Sequence, residues 1–386
     1  MNGKLGFLTH TRSVALSLVS LALGCSSAGP AGKPDAPPPV SVNTVQLDAG
    51  VDAMIPLDAP NTQSPDARPA ATDADGHSPD PMLPPIVGKA QAVLQHADGR
   101  WLRIQPTAGA VFEDLSKALT QLSDGEAGQD DIISVSSDAG WLVMTTSRFG
   151  CSSTGCIAIV KSDLSLPGVL VKPLGNEITS AGRPVIAAGG ALVVFEMAGP
   201  HEMDLFATTL KNGAWTKPLL LTAMSTHPFN HDPALSPDGS KVAFDCGGDP
   251  YGDTAGTEPC EAMTDGSGVE VLFPLSSLPG ATALGYTQRP TYMADGSVVF
   301  EGNPAGENEQ VYRFVRGGTP ALVGNGFTDD NSPCALRDGR ILSFWLGRPA
   351  NTDSLHELKV MNADGSHDSM LITLENLADI GISCGG

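Results

Sequence analysis

The segment His-Pro-Phe-Asn-His-Asp carries the side chains with the clearest chemical potential. His227, His231 and Asp232 lie within six consecutive positions. Imidazole nitrogens and carboxylate oxygens are common ligands of divalent metals, so these three residues are candidate ligands. The alternative is structural: Asp232 holds the start of a strand through hydrogen bonds, and both histidines are solvated.

An acidic segment follows this one. Asp249 and Asp253 lie in Gly-Gly-Asp-Pro-Tyr-Gly-Asp, with Glu258 a few positions later. Calcium prefers oxygen ligands of this kind, so the segment is a second candidate metal site. A surface loop is the alternative interpretation. Positions 329–331 form a similar but weaker group.

No familiar catalytic motif is present in the sequence. It contains no G-x-S-x-G, H-E-x-x-H, phosphate-binding P-loop or G-x-G-x-x-G pattern. Acidic residues outnumber basic ones 43 to 22, and the formal net charge of −21 repels phosphate backbones. We therefore expect no nucleic-acid partner, and no cofactor beyond a divalent metal such as calcium.

The seven cysteines divide into Cys25 and six others. An even set of six suits disulfides in an oxidising compartment, although six cysteines allow 15 pairings. No Cys-x-x-Cys occurs, which argues against a thiolate metal site. Their positions relative to the predicted strands favour three pairs, namely Cys151–Cys156 across a short loop, Cys246–Cys260 across a long hairpin, and Cys334–Cys384 between two strands.

Residues 1–24 have the order of a secretory signal peptide. Lys4 and Arg12 precede an apolar stretch, and the segment ends in Leu-Ala-Leu-Gly before Cys25. This ending resembles a bacterial lipobox, although Leu23 stands where a smaller residue is usual. The resemblance implies lipidation of Cys25, and Ser26 after it favours the outer membrane; plain secretion is the alternative.

Residues 25–85 are predicted to be a disordered tether. Positions 26–85 contain 13 prolines, 8 aspartates and no Phe, Trp or Tyr. Such a composition cannot bury enough apolar surface to offset the entropy of ordering, and it keeps the chain extended.

Residues 86–386 contain a repeated unit of about fifty residues. Its best copy runs from Asp232 to Asp245 and reads Asp-Pro-Ala-Leu-Ser-Pro-Asp-Gly-Ser-Lys-Val-Ala-Phe-Asp. Glycines mark the central turn of each copy at positions 140, 190, 239, 296, 339 and 386. Each unit predicts a strand, a tight turn in which glycine accepts a positive φ, and a second strand rich in β-formers. Further strands and Asp-Gly turns complete four strands per unit.

This string resembles the WD40-like repeat of TolB-type β-propellers. The resemblance implies an all-β fold, a six-bladed propeller with four-stranded blades, with seven blades as the alternative. The sixth inner strand, 379–384, ends the chain without partners, and strands within 86–106 can supply them. We therefore expect a ring closed by strands from both termini. One helix is predicted over 111–122 from the spacing of its apolar residues.

Two functions fit these features. The first is a monomeric, lipid-anchored outer-membrane protein, facing the periplasm or the exterior, whose propeller binds an envelope protein, a small ligand or a glycan without catalysis. TolB-type proteins act as interaction hubs beside outer-membrane lipoproteins, but they are soluble, so Cys25 is a departure. The second is a propeller lyase or hydrolase acting on envelope or plant polysaccharide, with a metal site near His227 and His231.

Overall fold

The strands form six antiparallel sheets arranged as the blades of a β-propeller. The computed structural model describes residues 83–107, 111–126, 128–151, 156–165, 169–171, 181–249, 255–305, 309–324, 330–345, 355–375, 377 and 381–386. These residues belong to one compact unit, Ala70–Gly386. The predicted all-β fold and its six blades are confirmed.

The elements follow one another blade by blade. The chain starts with β1 (Gln91–Gln95), β2 (Trp101–Ile104), β3 (Glu113–Asp114) and helix α1 (Leu115–Leu122). Blade 1 contains β4 (Asp130–Val135), β5 (Trp141–Thr146), β6 (Cys156–Lys161) and β7 (Val169–Val171). Blade 2 contains β8 (Gly182–Ile186), β9 (Leu192–Met197), β10 (Asp204–Lys211), β11 (Ala214–Trp215) and β12 (Leu219–Leu220). Blade 3 contains β13 (Phe229–Leu235), β14 (Lys241–Gly247), β15 (Glu258–Met263) and β16 (Val269–Val271). Blade 4 contains β17 (Tyr286–Tyr292), β18 (Val298–Asn303), β19 (Gln310–Phe314) and β20 (Ala321–Leu322). Blade 5 contains β21 (Asp330–Ala335), β22 (Arg340–Trp345), β23 (Leu355–Asn362) and β24 (Ser369–Glu375), and the chain ends with β25 (Ser383–Gly385).

Blade 6 joins the two ends of the propeller. Its strand order is β25-β1-β2-β3, so the last strand of the chain is the innermost one. Ala92 is opposite Cys384 and Val93 is opposite Ser383 in an antiparallel pair. The predicted closure by strands from both termini is therefore confirmed.

Each junction between neighbouring blades encloses an apolar cluster. The cluster between blades 2 and 3, for example, includes Val194, Leu205, Val242 and Phe244. Phe195, Phe244 and Phe300, one from each of three successive second strands, are fully buried. Burial of one such ring contributes about 1.5–3 kcal/mol, so these junctions stabilise the ring.

In blades 1 to 5, the first and second strands meet in a tight turn. In the best copy, the Asp238 carboxylate accepts hydrogen bonds from the Ser236 hydroxyl (2.6 Å) and the Ser240 backbone N–H (3.0 Å), and Gly239 has a φ of 73°. Aspartate side chains favour this local bond to the backbone two residues ahead. We call this end of the sheets the turn face.

The predicted turn at Gly386 is absent, because this residue follows the innermost strand of blade 6 and joins it to no second strand. Among the other five predicted turns, one differs. In blade 1 the left-handed residue is Ala139, with a φ of 53°, and Gly140 does not have a positive φ. Gly140 instead lies where a Cβ would be 2.5 Å from a methyl carbon of Val87. The sequence located the turn correctly, but this glycine permits close contact rather than the reversal.

The opposite end of the sheets is the loop face, where the second strand of each blade ends and its third strand begins. The chain enters the propeller at the turn face. The backbone N–H groups of Val87 and Gly88 donate to the Asp138 carbonyl at 3.0 Å, and the Arg337 guanidinium donates to the Pro84 carbonyl. Asp138 and Arg337 both belong to first-to-second-strand turns.

The helix is shorter than predicted. It covers Leu115–Leu122, and the Asp114 side chain caps it by accepting the Lys117 backbone N–H at 2.8 Å. Val111, which the spacing placed on the apolar face, is 84% exposed and precedes β3. Within the described residues, no helix combines the length and apolar character that a membrane span requires.

Two details complete the fold. Blade 2 departs from four strands because β11 and β12 both pair with β10. Single 3₁₀ turns occur at Ala188–Gly190 and Leu275–Ser277.

Three disulfides link the pairs expected from the sequence: Cys151–Cys156, Cys246–Cys260 and Cys334–Cys384. Their Cα atoms are 5.8, 5.9 and 5.9 Å apart, which is the usual span of such a bond. The first two lie at the loop face, at the base of second-to-third-strand connections. The third joins the inner strands of blades 5 and 6.

Candidate functional site

The innermost strands of blades 2 to 5 each contain a β-bulge at the loop-face end of the channel. The pairing register with the second strand shifts at this point in all four blades. The bulged residue has a left-handed φ and precedes a proline in each case, and the four residues are Arg183 (38°), Asp232 (52°), Arg289 (54°) and Ser332 (51°). Such a φ is uncommon outside glycine, and bulges commonly re-aim side chains next to functional sites.

Buried carboxylates from the preceding blade hold three of these bulges. Glu196, Asp245 and Glu301 occupy the same register position on successive second strands, and each is at most 3% exposed. Each accepts the backbone N–H of the next blade's bulged residue, at 2.6 Å from Asp232, 2.7 Å from Arg289 and 2.9 Å from Ser332. In blade 5, Phe344 takes this position and packs into the apolar junction with blade 6, so the series ends there.

The bulged side chains form ion pairs along the channel wall. Arg183 contacts the Asp232 carboxylate, and its Nε lies 4.0 Å from Glu196 Oε1. Arg289 lies 3.4 Å from Glu301 and donates to the Ser332 hydroxyl. The cations thus neutralise part of the charge that the buried carboxylates bring to this wall.

The carboxylates of this wall differ in their pKa values. Burial raises the pKa of Glu196 to about 7, because it outweighs the lowering by the Arg183 charge, and the Asp232 charge adds to the rise. Burial alone would also raise the pKa of Asp232, but Arg183 and His231 outweigh it and hold this pKa below its usual range. Burial and then the Asp232 charge raise the pKa of Asp245 well above its usual value.

The channel contains a cavity of about 150 Å³ that residues from the first strands of all six blades line. Its charged lining residues are Arg183, Arg289, Arg337 and Asp232. With three cations and one anion, the lining of this cavity differs from the chain as a whole, whose formal net charge is −21. The cavity therefore offers charged and hydroxyl groups to polar or anionic parts of a partner.

The structure brings together two of the candidate metal ligands and adds a third. His231 Nδ1 lies 3.3 Å from Asp232 Oδ2, and Asp245 is directly opposite His231 in the strand register. One ligand atom from each of the three residues lies within 4.8 Å of the other two. The structural alternative expected Asp232 at the start of a strand and both histidines in solvent. Asp232 instead lies at the bulge within β13 (Phe229–Leu235), and His231 is 1% exposed.

The other candidate residues are placed elsewhere. His227 lies near Cys246 and Cys260, whose sulfurs are joined in a disulfide and so cannot act as thiolate ligands. Its backbone N–H donates to the Ser225 hydroxyl at 3.2 Å. Asp249 is partly exposed and belongs to neither group of possible ligands among the described residues.

Several sequence predictions lie outside the described residues. These are the lipidation site Cys25, the candidate calcium ligand Asp253, the signal peptide at 1–24 and nearly all of the tether at 25–85. In the weaker acidic group at 329–331, Asn331 is buried and donates to Glu309 at 3.3 Å. That bond gives Asn331 a structural role.

No family model and no curated protein sequence matches the chain. Solved structures are similar in fold. A protein described as a TolB from Agrobacterium tumefaciens has a TM-score of 0.51 and 14% identity over 77% of this chain and 96% of that chain. TolB from Acinetobacter baumannii has a TM-score of 0.47 and 14% identity, over 78% of this chain and 67% of that chain. A puromycin hydrolase has a TM-score of 0.45 and 17% identity, over 75% of this chain and 47% of that chain.

The first of these similarities shows that the chain has the fold of a TolB-like propeller, as the repeat predicted. At 14% identity the likeness extends to the fold alone. The other two superpose too loosely to carry an argument, and this chain spans less than half the length of the puromycin hydrolase.

Proposed function

We propose that this chain is a lipoprotein of the outer membrane, anchored through Cys25, whose propeller binds an envelope protein or a small ligand at the loop face. The series of bulged residues Arg183, Asp232, Arg289 and Ser332 carries the proposal. Left-handed backbone at non-glycine residues costs about 1–3 kcal/mol each and is concentrated at functional sites. Four such residues in successive blades direct polar side chains toward one channel.

The volume of the cavity in the channel limits what part of a partner can bind inside it. Ligand pockets usually enclose about 300–1,000 Å³, and this cavity measures about 150 Å³. A whole small molecule of drug size does not fit inside. The partner instead covers the loop face and inserts one polar side chain or one sugar group between the arginines.

The place of attachment supports this orientation. Residues 83–90 contact the turns of blades 1 and 5, so the chain enters at the turn face. The loop face is at the other end of the sheets. A propeller tethered at the turn face keeps the loop face available to a partner.

Site-specific photo-crosslinking in the native host tests this proposal. A photo-reactive amino acid replaces exposed Glu202 at the loop face, or exposed Ser240 at the turn face as the matched position. We expect a discrete adduct from position 202 and none from position 240. The substitution Arg289→Gln should abolish the adduct, because it removes a channel cation.

Arg316→Gln is the control for that substitution. Arg316 also pairs with two glutamates, Glu261 and Glu270, but it is not among the residues that line the cavity. It should leave the adduct unchanged. An adduct from position 240 alone, or equal loss with both arginine variants, would contradict binding at the loop face. Incorporation of a labelled fatty acid, lost in Cys25→Ser, tests the anchor separately.

A further inference from the structure

We propose that His231, Asp232 and Asp245 bind a divalent transition-metal ion, with Zn²⁺ as the best match, in the wall between blades 3 and 4. This site shares Asp232 with the proposed binding surface, but metal binding there does not require a partner. It replaces the metal set expected from the sequence, because it excludes His227 and includes Asp245.

The strand geometry assembles these three side chains. His231 on β13 and Asp245 on β14 are direct partners in the antiparallel register, so their side chains lie on the same side of the sheet. Consecutive residues of a strand normally point to opposite sides. The left-handed φ of 52° at Asp232 changes this direction and leaves its carboxylate 3.3 Å from the His231 ring.

Two atoms of the group are buried and have no hydrogen-bond partner. They are His231 Nε2 and Asp245 Oδ1, and their residues are 1% and 0% exposed. An unsatisfied buried polar atom costs roughly 1–3 kcal/mol, and most native polar atoms avoid this cost. A metal ion accepts electron pairs from imidazole nitrogens and from carboxylate oxygens. A bound ion would therefore be a partner for both atoms.

The ligand types favour zinc over calcium. Zinc is commonly held by imidazole nitrogens and carboxylate oxygens in sets of three or four, whereas calcium needs about six to eight oxygens. Ligand atoms at about 2.0–2.2 Å from one zinc ion lie roughly 3–4 Å apart. The ligand atoms of His231, Asp232 and Asp245 lie within 4.8 Å of one another. To bind one zinc ion, the most distant pair must approach by about 1 Å, which rotation of the side chains can provide.

The Asp245 carboxylate is buried away from water. Among the described residues its Oδ2 accepts the Arg289 backbone N–H, and its Oδ1 has no hydrogen-bond partner. Arg183 pairs with Asp232 through Oδ1, so the oxygen nearer to His231, Oδ2, is the one that the ion would use. Asp232 lines the channel cavity, whereas His231 and Asp245 lie behind it. A bound ion would therefore lie between Asp232, which lines the channel, and the two ligands behind it.

Zinc binding to the purified full chain tests the site. The protein is prepared with a histidine-free affinity tag, treated with a chelator, and titrated with Zn²⁺ in a calorimeter while metal content is measured by mass spectrometry. We expect one Zn²⁺ per chain, and at least tenfold weaker binding in His231→Gln and in Asp245→Asn. His227→Gln, four positions from His231, is the matched control and should bind like the wild type.

Near-ultraviolet circular dichroism establishes that each variant is folded. If Asp245→Asn does not fold, His231→Gln and the absorption spectrum of the Co²⁺-substituted wild type decide the question. Tetrahedral nitrogen and oxygen ligation gives intense visible bands that His231→Gln should remove. No stoichiometric zinc in folded wild type, or affinity unchanged by His231→Gln, would overturn the proposal; loss upon His227→Gln alone would place the metal elsewhere.

Discussion

The two faces of the propeller are held by different kinds of interaction. At the turn face, aspartate side chains such as Asp238 and Asp295 bond to backbone N–H groups two residues ahead. At the loop face, Glu196, Asp245 and Glu301 bond to backbone N–H groups 36, 44 and 31 positions ahead, in the next blade. Local bonds shape each blade, whereas bonds between blades set the channel wall.

The same contrast appears in the carboxyl groups. At the turn face, hydrogen bonds from Ser236 and Ser240 outweigh partial burial and lower the pKa of Asp238. At the loop face, burial raises the pKa of Glu196 and of Asp245. Local hydrogen bonds favour the charged form of Asp238 at the turn face, whereas burial disfavours the charged forms of Glu196 and Asp245 at the loop face; the ion pair with Arg183 makes Asp232 an exception there.

The largest expected loss of stability comes from removing the charge of a loop-face carboxylate. Glu301→Gln keeps an oxygen for the Ser332 N–H but removes the negative charge that lies 3.4 Å from Arg289. Removing one member of a buried pair costs about 3–5 kcal/mol, and the 18% exposure of Arg289 reduces this to roughly 2–3 kcal/mol. The free energy of unfolding in urea measures the loss.

Glu270→Gln is the control, since Glu270 also pairs with an arginine but is 58% exposed. An exposed pair contributes at most about 1 kcal/mol. If Glu301→Gln and Glu270→Gln lower the unfolding free energy equally, the carboxylates at the junctions have no special role.

The turn-face glycines should have an intermediate effect. Gly296 has a φ of 79° with nothing within 4 Å of an added Cβ, so Gly296→Ala should cost about 1 kcal/mol through the backbone alone. Gly239→Ala should cost more, because its Cβ would also lie 3.2 Å from the Ala187 Cβ. Thermal and urea unfolding measure both.

Gly268 provides the comparison for these two. It has no positive φ and no neighbour within 4 Å of an added Cβ, so Gly268→Ala should be neutral or stabilise by up to about 1 kcal/mol. A loss in Gly268→Ala as large as that in Gly296→Ala would mean that the turn conformation is not the cause.

The smallest effect concerns pH at the turn face. Partial burial would raise the pKa of Asp295, but hydrogen bonds from Ser297 and then the Arg313 charge lower it. A lowered folded-state pKa stabilises the protein above the unfolded value near 4 and loses this contribution as pH falls through the folded value. Asp295→Asn should therefore cost about 0.5 kcal/mol at pH 7, since the side chain is 55% exposed.

The difference between Asp295→Asn and wild type should shrink as pH is lowered from 5 to 2. Unfolding free energies at several pH values measure it, with Gly268→Ala, which removes no charge and no hydrogen bond of a side chain, as the structural control. A difference that grows at low pH would have the wrong sign for a lowered pKa.

The sequence predicted the turn face better than the loop face. Ser-Pro-Asp-Gly and Asp-Gly specify a turn through bonds within a few residues, so one sequence suffices to find them. The conformation of Arg289 depends on Asp245, which lies 44 positions earlier in a neighbouring blade. No local pattern specifies that contact.

The candidate site was found in part for the same reason. His231 and Asp232 are adjacent in sequence and form a recognisable pair of metal ligands, whereas a turn separates Asp245 from them. A signal was present: Phe-Glu or Phe-Asp recurs at 195–196, 244–245 and 300–301 in three copies of the repeat. Alternation along the strand gives the acidic residue of each pair the side opposite to the buried Phe, toward the next blade.

The innermost strand of blade 6 has a consequence for folding kinetics. Ser383–Gly385 pair with β1 at the other end of the propeller sequence, and the Gly386 carbonyl accepts the Arg337 N–H at 2.9 Å. Contacts between segments so far apart in sequence form slowly, because the entropy of the long intervening loop opposes them until they are made. We therefore expect ring closure to be the slow step of folding, and the Cys334–Cys384 bond to hold the ring once it has closed.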